Sequence, residues 1–87
     1  MFEVLIRKKV LKNVEKLPGG VKIKFLALVE DLKELGPIRT DWPYYSKLGK
    51  EKYHCHLGHS WVACWIHKKN TVIIEVYYAG SRENAQY

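Results

Sequence analysis

Apolar and polar residues alternate one for one through Tyr53–Leu57. The alternation predicts a half-buried strand with Tyr53, Cys55 and Leu57 on one side and His54 and His56 on the other. Gly58-His59-Ser60 carries a turn signal, and Trp61–His67 reads as a second strand, so residues 53–67 form a hairpin. A two-residue turn at His59-Ser60 sets Leu57 against Val62, Cys55 against Cys64 and Tyr53 against Ile66, because residues opposite on paired strands share a face. One face is then expected to be apolar. The other carries His54, His56, Trp61, Trp65 and His67.

Elsewhere the period lengthens. Val10, Val14 and Leu17, with Leu11 beside them, recur at helical spacing, and Lys8, Lys9, Lys12 and Lys16 fall largely on the other side. Pro18-Gly19-Gly20 is expected to end this short helix and link it to the next. Val21, Phe25, Leu28, Leu32 and Leu35 mark one stripe of a second helix, widened by Leu26 and Val29 and stopped at Gly36-Pro37. About 15 residues at 1.5 Å each make a rod of roughly 23 Å, enough to cross a small sheet. Phe2–Ile6 suits a first strand, and Thr71–Ala79, almost wholly β-branched or aromatic, a last one. Residues 38–44 read as a packed surface loop, 45–48 as a weak strand, 49–52 and 68–70 as turns, and 80–87 as a polar tail. The order is strand, two helices, then three or four strands. It predicts one α+β domain over 1–87, with a helical hairpin laid on one face of an antiparallel sheet and the other face left open.

Composition narrows the classes. Apolar residues make up 47% of the 87 positions, ordinary for a globular core, and no apolar run approaches a membrane span. The start, Met1–Ile6, lacks the basic and long apolar regions of a signal peptide, so a cytoplasmic location is expected. Two cysteines are too few for a disulfide framework; they read as reduced, buried thiols, with a Cys55–Cys64 bridge open only in the register above. The net charge of +6, from 15 Lys and Arg against 9 Asp and Glu, favours a polyanionic partner.

His54 and His56 project together, so three chemistries are open besides plain surface exposure. They are acid–base catalysis, zinc ligation with His67 as third ligand, and contact with phosphates and bases. No carboxylate or supporting pattern in the strand favours the metal. Trp61 and Trp65 either stack unpaired bases or are buried under the 38–45 loop or the tail. Arg82, just after the last strand, can clamp a phosphate or meet developing negative charge. Tyr87 offers a hydroxyl at a terminus that can equally fray.

At these residues the chain resembles a family. The order βααβββ, the Lys52, Tyr53 and Leu57 pattern leading into a hairpin, and the ending Tyr77-Tyr78-Ala79-Gly80-Ser81-Arg82-Glu83-Asn84-Ala85-Gln86-Tyr87 look like the RelE/ParE superfamily of toxin–antitoxin toxins. The resemblance covers nearly the whole chain and is most specific over 52–87. It implies a RelE-like fold and an endoribonuclease that cuts mRNA in the ribosomal A site by 2′-hydroxyl attack, without metal or cofactor. It also implies a cognate antitoxin as partner, and no membrane partner. In that branch two lysines alternate where His54 and His56 stand, and the closing arginine and tyrosine match Arg82 and Tyr87. A strand-opening arginine is replaced here by Trp61. The expected catalytic set is His54, His56, Arg82 and Tyr87, with Lys47, Lys50, Lys52, Trp61, Trp65 and His67 on the RNA. Two other readings follow from the same resemblance: a ParE-like inhibitor of DNA gyrase, and a weakened remnant that only binds antitoxin or RNA.

Overall fold

The computed structural model describes every residue from Met1 to Tyr87. Its elements are β1 (Glu3–Ile6), α1 (Lys8–Glu15), α2 (Gly19–Leu35), β2 (Ser46–Lys47), β3 (Lys52–Gly58), β4 (Trp61–His67) and β5 (Ile73–Ser81). The five strands form one sheet in the order β1-β5-β4-β3-β2. The last four make the expected antiparallel meander, and β1 joins its far edge in parallel with β5, Val4 opposite Ile74 and Ile6 opposite Val76. The two helices form the crossover that a parallel pair requires. No helix is long and apolar enough to cross a membrane.

Both helices pack on one sheet face. Val10 and Val14 of α1 and Phe25, Leu28, Val29 and Leu32 of α2 meet Cys55, Leu57, Ala63, Trp65, Ile74, Val76 and Ala79 in a single core. The stripe read from α2 is narrower than expected. Leu26 and Leu35 are 57% and 61% exposed, because the contact with the sheet takes in only the Phe25, Leu28, Val29 and Leu32 side of the helix. Pro18-Gly19-Gly20 does more than link. Pro18 caps α2 and the two glycines are its first residues; proline's fixed φ and missing N–H cost nothing at a helix start. At the other end Gly36 sits at φ +95°, and a Cβ there would stand 2.9 Å from the Phe2 ring. Only glycine meets both demands.

The register of the hairpin corrects the sequence reading. The two-residue turn is present, since Gly58 pairs with Trp61. One residue later Leu57 is bulged out of the ladder, and His56 pairs with Val62, Cys55 with Ala63, His54 with Cys64 and Tyr53 with Trp65. A bulge of one residue moves every following side chain on the partner strand to the other face. Trp61 and Trp65 therefore lie on the helix side, and Val62 and Cys64 beneath the histidines. Trp65 is fully buried, its indole N–H donating to the Pro37 carbonyl at 3.0 Å. Cys55 and Cys64 lie on opposite faces as free thiols, so no bridge joins them. Burial pushes them up to about 12 and about 11.

This packing predicts unequal losses. Trp65→Ala should cost about 3–5 kcal/mol in urea unfolding, the usual range for a buried tryptophan. Leu26→Ala, despite its place in the apolar stripe, should stay within about 0.5 kcal/mol.

Candidate functional site

β3 sets a row of three alternating side chains, Lys52, His54 and His56, on the face away from the helices. Cys64 and Val62, opposite the two histidines, form a fully buried apolar floor beneath them. The neighbouring β2 places Ser46 opposite His54, and Ser46 Oγ lies 2.9 Å from His54 Nδ1. The two imidazoles stand 5.9 Å apart, centroid to centroid.

The tail completes the cluster. The Arg82 N–H donates to the Ser60 carbonyl at 2.8 Å, tying the end of β5 to the hairpin turn. The Ala85 N–H then donates to the Arg82 carbonyl at 3.3 Å, which bends the chain back across the sheet. Tyr87 reaches His54 edge-on with ring centroids 5.0 Å apart. The terminal tyrosine is thus held against His54 on the sheet, with His56 beside them and the Arg82 charge near enough to act on His56 and Tyr87.

The electrostatics of this surface favour neutral groups. Burial lowers the His54 pKa, partly offset by hydrogen bonding at Ser46. Burial also lowers that of His56, helped by His54 and by the Arg82 charge. The Tyr87 hydroxyl is raised, first by burial and then by Cys64, with Arg82 acting the other way. Deeper in the sheet the Tyr77 hydroxyl is buried beside the Cys64 thiol without a well-formed hydrogen bond, and is pushed up to about 12. Lys52 rides over the Tyr77 ring at 5.8 Å, and Arg7, paired to Glu75 at 3.0 Å, flanks it from the other edge.

The other expected contacts separate from this surface. Trp65 is buried and cannot stack a base. Trp61 is half-buried and packs against the helix-side core. His67 pairs across β4 and β5 with Ile74, contacts Phe2, and has its Nε2 2.9 Å from the Thr71 carbonyl oxygen. The triad His54, His56 and His67 is therefore not assembled, and no three His, Cys, Asp or Glu residues converge as metal ligands. Lys47 is paired with Tyr53 and leans over its ring at 5.9 Å, so it too faces away from His54. With Lys50, His67 and Lys69 it lines a second, basic cleft at the far end of the sheet. The sequence reading missed Ser46 and Tyr44. Tyr44 stands beside His56 with ring centroids 4.7 Å apart, brought there by a loop whose irregular pattern carried no facing information.

No protein-family model matches the chain, and no curated protein matches it in sequence. Solved structures match it in shape. The archaeal RelE–RelB complex from Pyrococcus horikoshii OT3 contains a chain 20% identical, with a TM-score of 0.76 over 97% of this chain and 98% of that one. The isolated E. coli RelE toxin is 16% identical, with a TM-score of 0.75 over 99% and 89%. The heterotetrameric YoeB–YefM toxin–antitoxin complex from Staphylococcus aureus gives 11% and 0.70 over 100% and 99%. The two helices and mixed five-stranded sheet are the fold of these proteins.

Burial of the imidazoles links folding to their deprotonation. A histidine whose folded pKa is depressed contributes fully above its ordinary value near 6.5, and that contribution is lost as pH falls from there towards the folded pKa. Histidine NMR titrations should place both midpoints below those of a free imidazole. Stability should fall with acidification through this window, and less so in a His54→Gln, His56→Gln variant.

Proposed function

We propose that the chain is the toxin of a toxin–antitoxin module and acts as a metal-independent endoribonuclease on mRNA at the ribosome, in the cytoplasm. The observation that carries this reading is the meeting of two imidazoles and a tyrosine, with an arginine near them, on the open face of a RelE-like sheet, where burial lowers the histidine pKa values and raises that of the tyrosine. The net charge of +6 suits a polyanion.

RNA cleavage by the 2′-hydroxyl needs a base for that hydroxyl, a cation for the charge on the phosphorane and an acid for the departing 5′-oxygen. His56 suits the base. It is half-exposed, and burial, His54 and Arg82 together favour its neutral form against the opposing effect of a Gly58 backbone hydrogen bond. His54, with Nδ1 engaged by Ser46, has Nε2 left for a phosphate oxygen. Arg82 supplies the positive charge and both donors of its fork. Tyr87 keeps its proton, its pKa being raised chiefly by burial, so its hydroxyl can hydrogen-bond the departing 5′-oxygen and pass the proton on as negative charge develops there.

An antitoxin follows from the same reading. Ile23 and Leu26 on α2 and Leu11 on α1 are 69%, 57% and 48% exposed among lysines. A partner with acidic and apolar segments would cover them.

Single-turnover cleavage of mRNA on programmed ribosomes tests the assignment. His54→Ala and His56→Ala should each slow cleavage by about 10²–10⁴-fold. Arg82→Ala should cost about 3 kcal/mol of transition-state stabilisation, as for a lost oxyanion donor. Melting temperatures should change little, because these side chains lie outside the core. Full cleavage by a folded double histidine variant would overturn the assignment of His54 and His56; no cleavage by the folded wild-type chain would remove the nuclease and favour the gyrase-directed reading.

A further inference from the structure

Beside the histidine row, the loop between α2 and β2 walls a cleft of about 370 Å³ with Trp42, Pro43, Tyr44 and His56, and with Lys24 and His59 at its rim. The loop is irregular in sequence but pinned along its length. Trp65 Nε1 donates to the Pro37 carbonyl, Arg39 Nε to the Gly36 carbonyl, and Trp42 Nε1 to Asp31, at 3.0, 3.0 and 2.8 Å. The His56 N–H donates to the Pro43 carbonyl at 2.9 Å, so the loop takes over the edge of β3 beyond the end of β2.

Tyr44 is the unexpected residue in this frame. Its φ is 52°, a left-handed conformation that a bulky side chain seldom adopts, and its side chain lies in the open, 78% exposed. A large aromatic held in strained backbone at the surface is a marker of a site. One side of the ring packs near His56; the remainder faces solvent.

We infer that Tyr44 is the stacking platform of a nucleobase subsite, and that the cleft holds the unpaired base next to the phosphate addressed by His56. The inference deepens the nuclease reading by naming what positions the RNA. An aromatic face takes any unpaired base, while nearby cations take its backbone. Lys24 and His59 lie on the rim of this cleft and Arg82 acts on His56 from the other side. The one carboxylate lining the cleft, Asp41, is paired with Arg39 at 3.0 Å. The pinned loop holds the platform in place before RNA arrives, which spares the ordering cost of binding. Neither tryptophan of β4 is free to do this, since both face the helices.

The test reads binding alone. A short fluorescent 2′-O-methyl oligouridylate, which has no 2′-hydroxyl to attack, is titrated into the full chain, alongside the same oligomer with abasic sites. The wild-type protein should prefer the base-bearing oligomer by about 5- to 150-fold, the range expected for a stacked base. Tyr44→Ala and Tyr44→Gly should lose most of that preference, and Tyr44→Trp should keep it. The glycine variant controls for folding. It suits a φ of 52° without strain, so it should melt no lower than wild type. Equal wild-type affinity for the two oligomers would overturn the subsite, as would an unchanged preference in Tyr44→Gly. A base preference that depends on Tyr44 in a chain that fails to cut mRNA supports the subsite and removes only the nuclease reading.

Discussion

An indole in a protein interior has one polar atom, and leaving it without a partner costs on the order of 1–3 kcal/mol. Here the Trp65 N–H finds the Pro37 carbonyl across the end of α2, and the ring clusters with Tyr53 and Tyr45, 6.1 and 6.3 Å away, which are themselves 6.2 Å apart. That placement fixes which way β4 faces. With Trp65 turned to the helices, Ala63 and Trp61 follow it, and Val62 and Cys64 must lie on the opposite side. They make the dry floor under His54 and His56. The depressed imidazole pKa values begin with burial on that floor. The same indole anchors the loop that carries Tyr44 to His56. One buried donor thus ties the helix-side core to the chemistry of the open face.

The open face is built from edges and ends. Ser46 comes from a two-residue strand paired with β3, Arg82 from the end of β5 tied to the hairpin turn at Ser60, and Tyr87 from the tail through a ring contact with His54. Rigid elements hold the histidines; lighter attachments hold the groups around them. Such a surface admits a long flexible ligand more readily than an enclosed pocket would. Burial lowers the pKa of both histidines on this surface and raises that of Tyr87.

The fold was legible because its main signals are periodic. The α2 stripe, the alternation of β3 and the β-branched run of β5 each specify an element and its buried side. Parallel addition of β1 was not legible, since Phe2–Ile6 carries no mark of its partner. The faces of β4 were not legible for a different reason. Trp61–Ile66 is apolar at every position, so it has no polar phase from which to read a side, and the turn alone had to set the register. The turn was right, but the Leu57 bulge reversed what followed from it. His54 and His56 keep their expected face because they lie before the bulge, on the strand whose alternation is clear. Arg82 and Tyr87 were found through resemblance and then by contact. Tyr44 and Ser46 act across strands and loops, where spacing in sequence says nothing about neighbours in space.

In the proposed cleavage the nucleophile is the RNA's own 2′-hydroxyl, activated by a neutral imidazole, and not a bound water. The chemical identity of the new RNA ends decides this directly. In that reaction the 2′-oxygen bonds to phosphorus as the 5′-oxygen leaves with a proton, so cleaved mRNA should carry a 2′,3′-cyclic phosphate, or the phosphate it opens to, and a 5′-hydroxyl. Mass spectrometry of the fragments reads both ends. A 5′-phosphate with a free 3′-hydroxyl would mean that water had attacked, and would contradict the assignment of His54, His56, Arg82 and Tyr87.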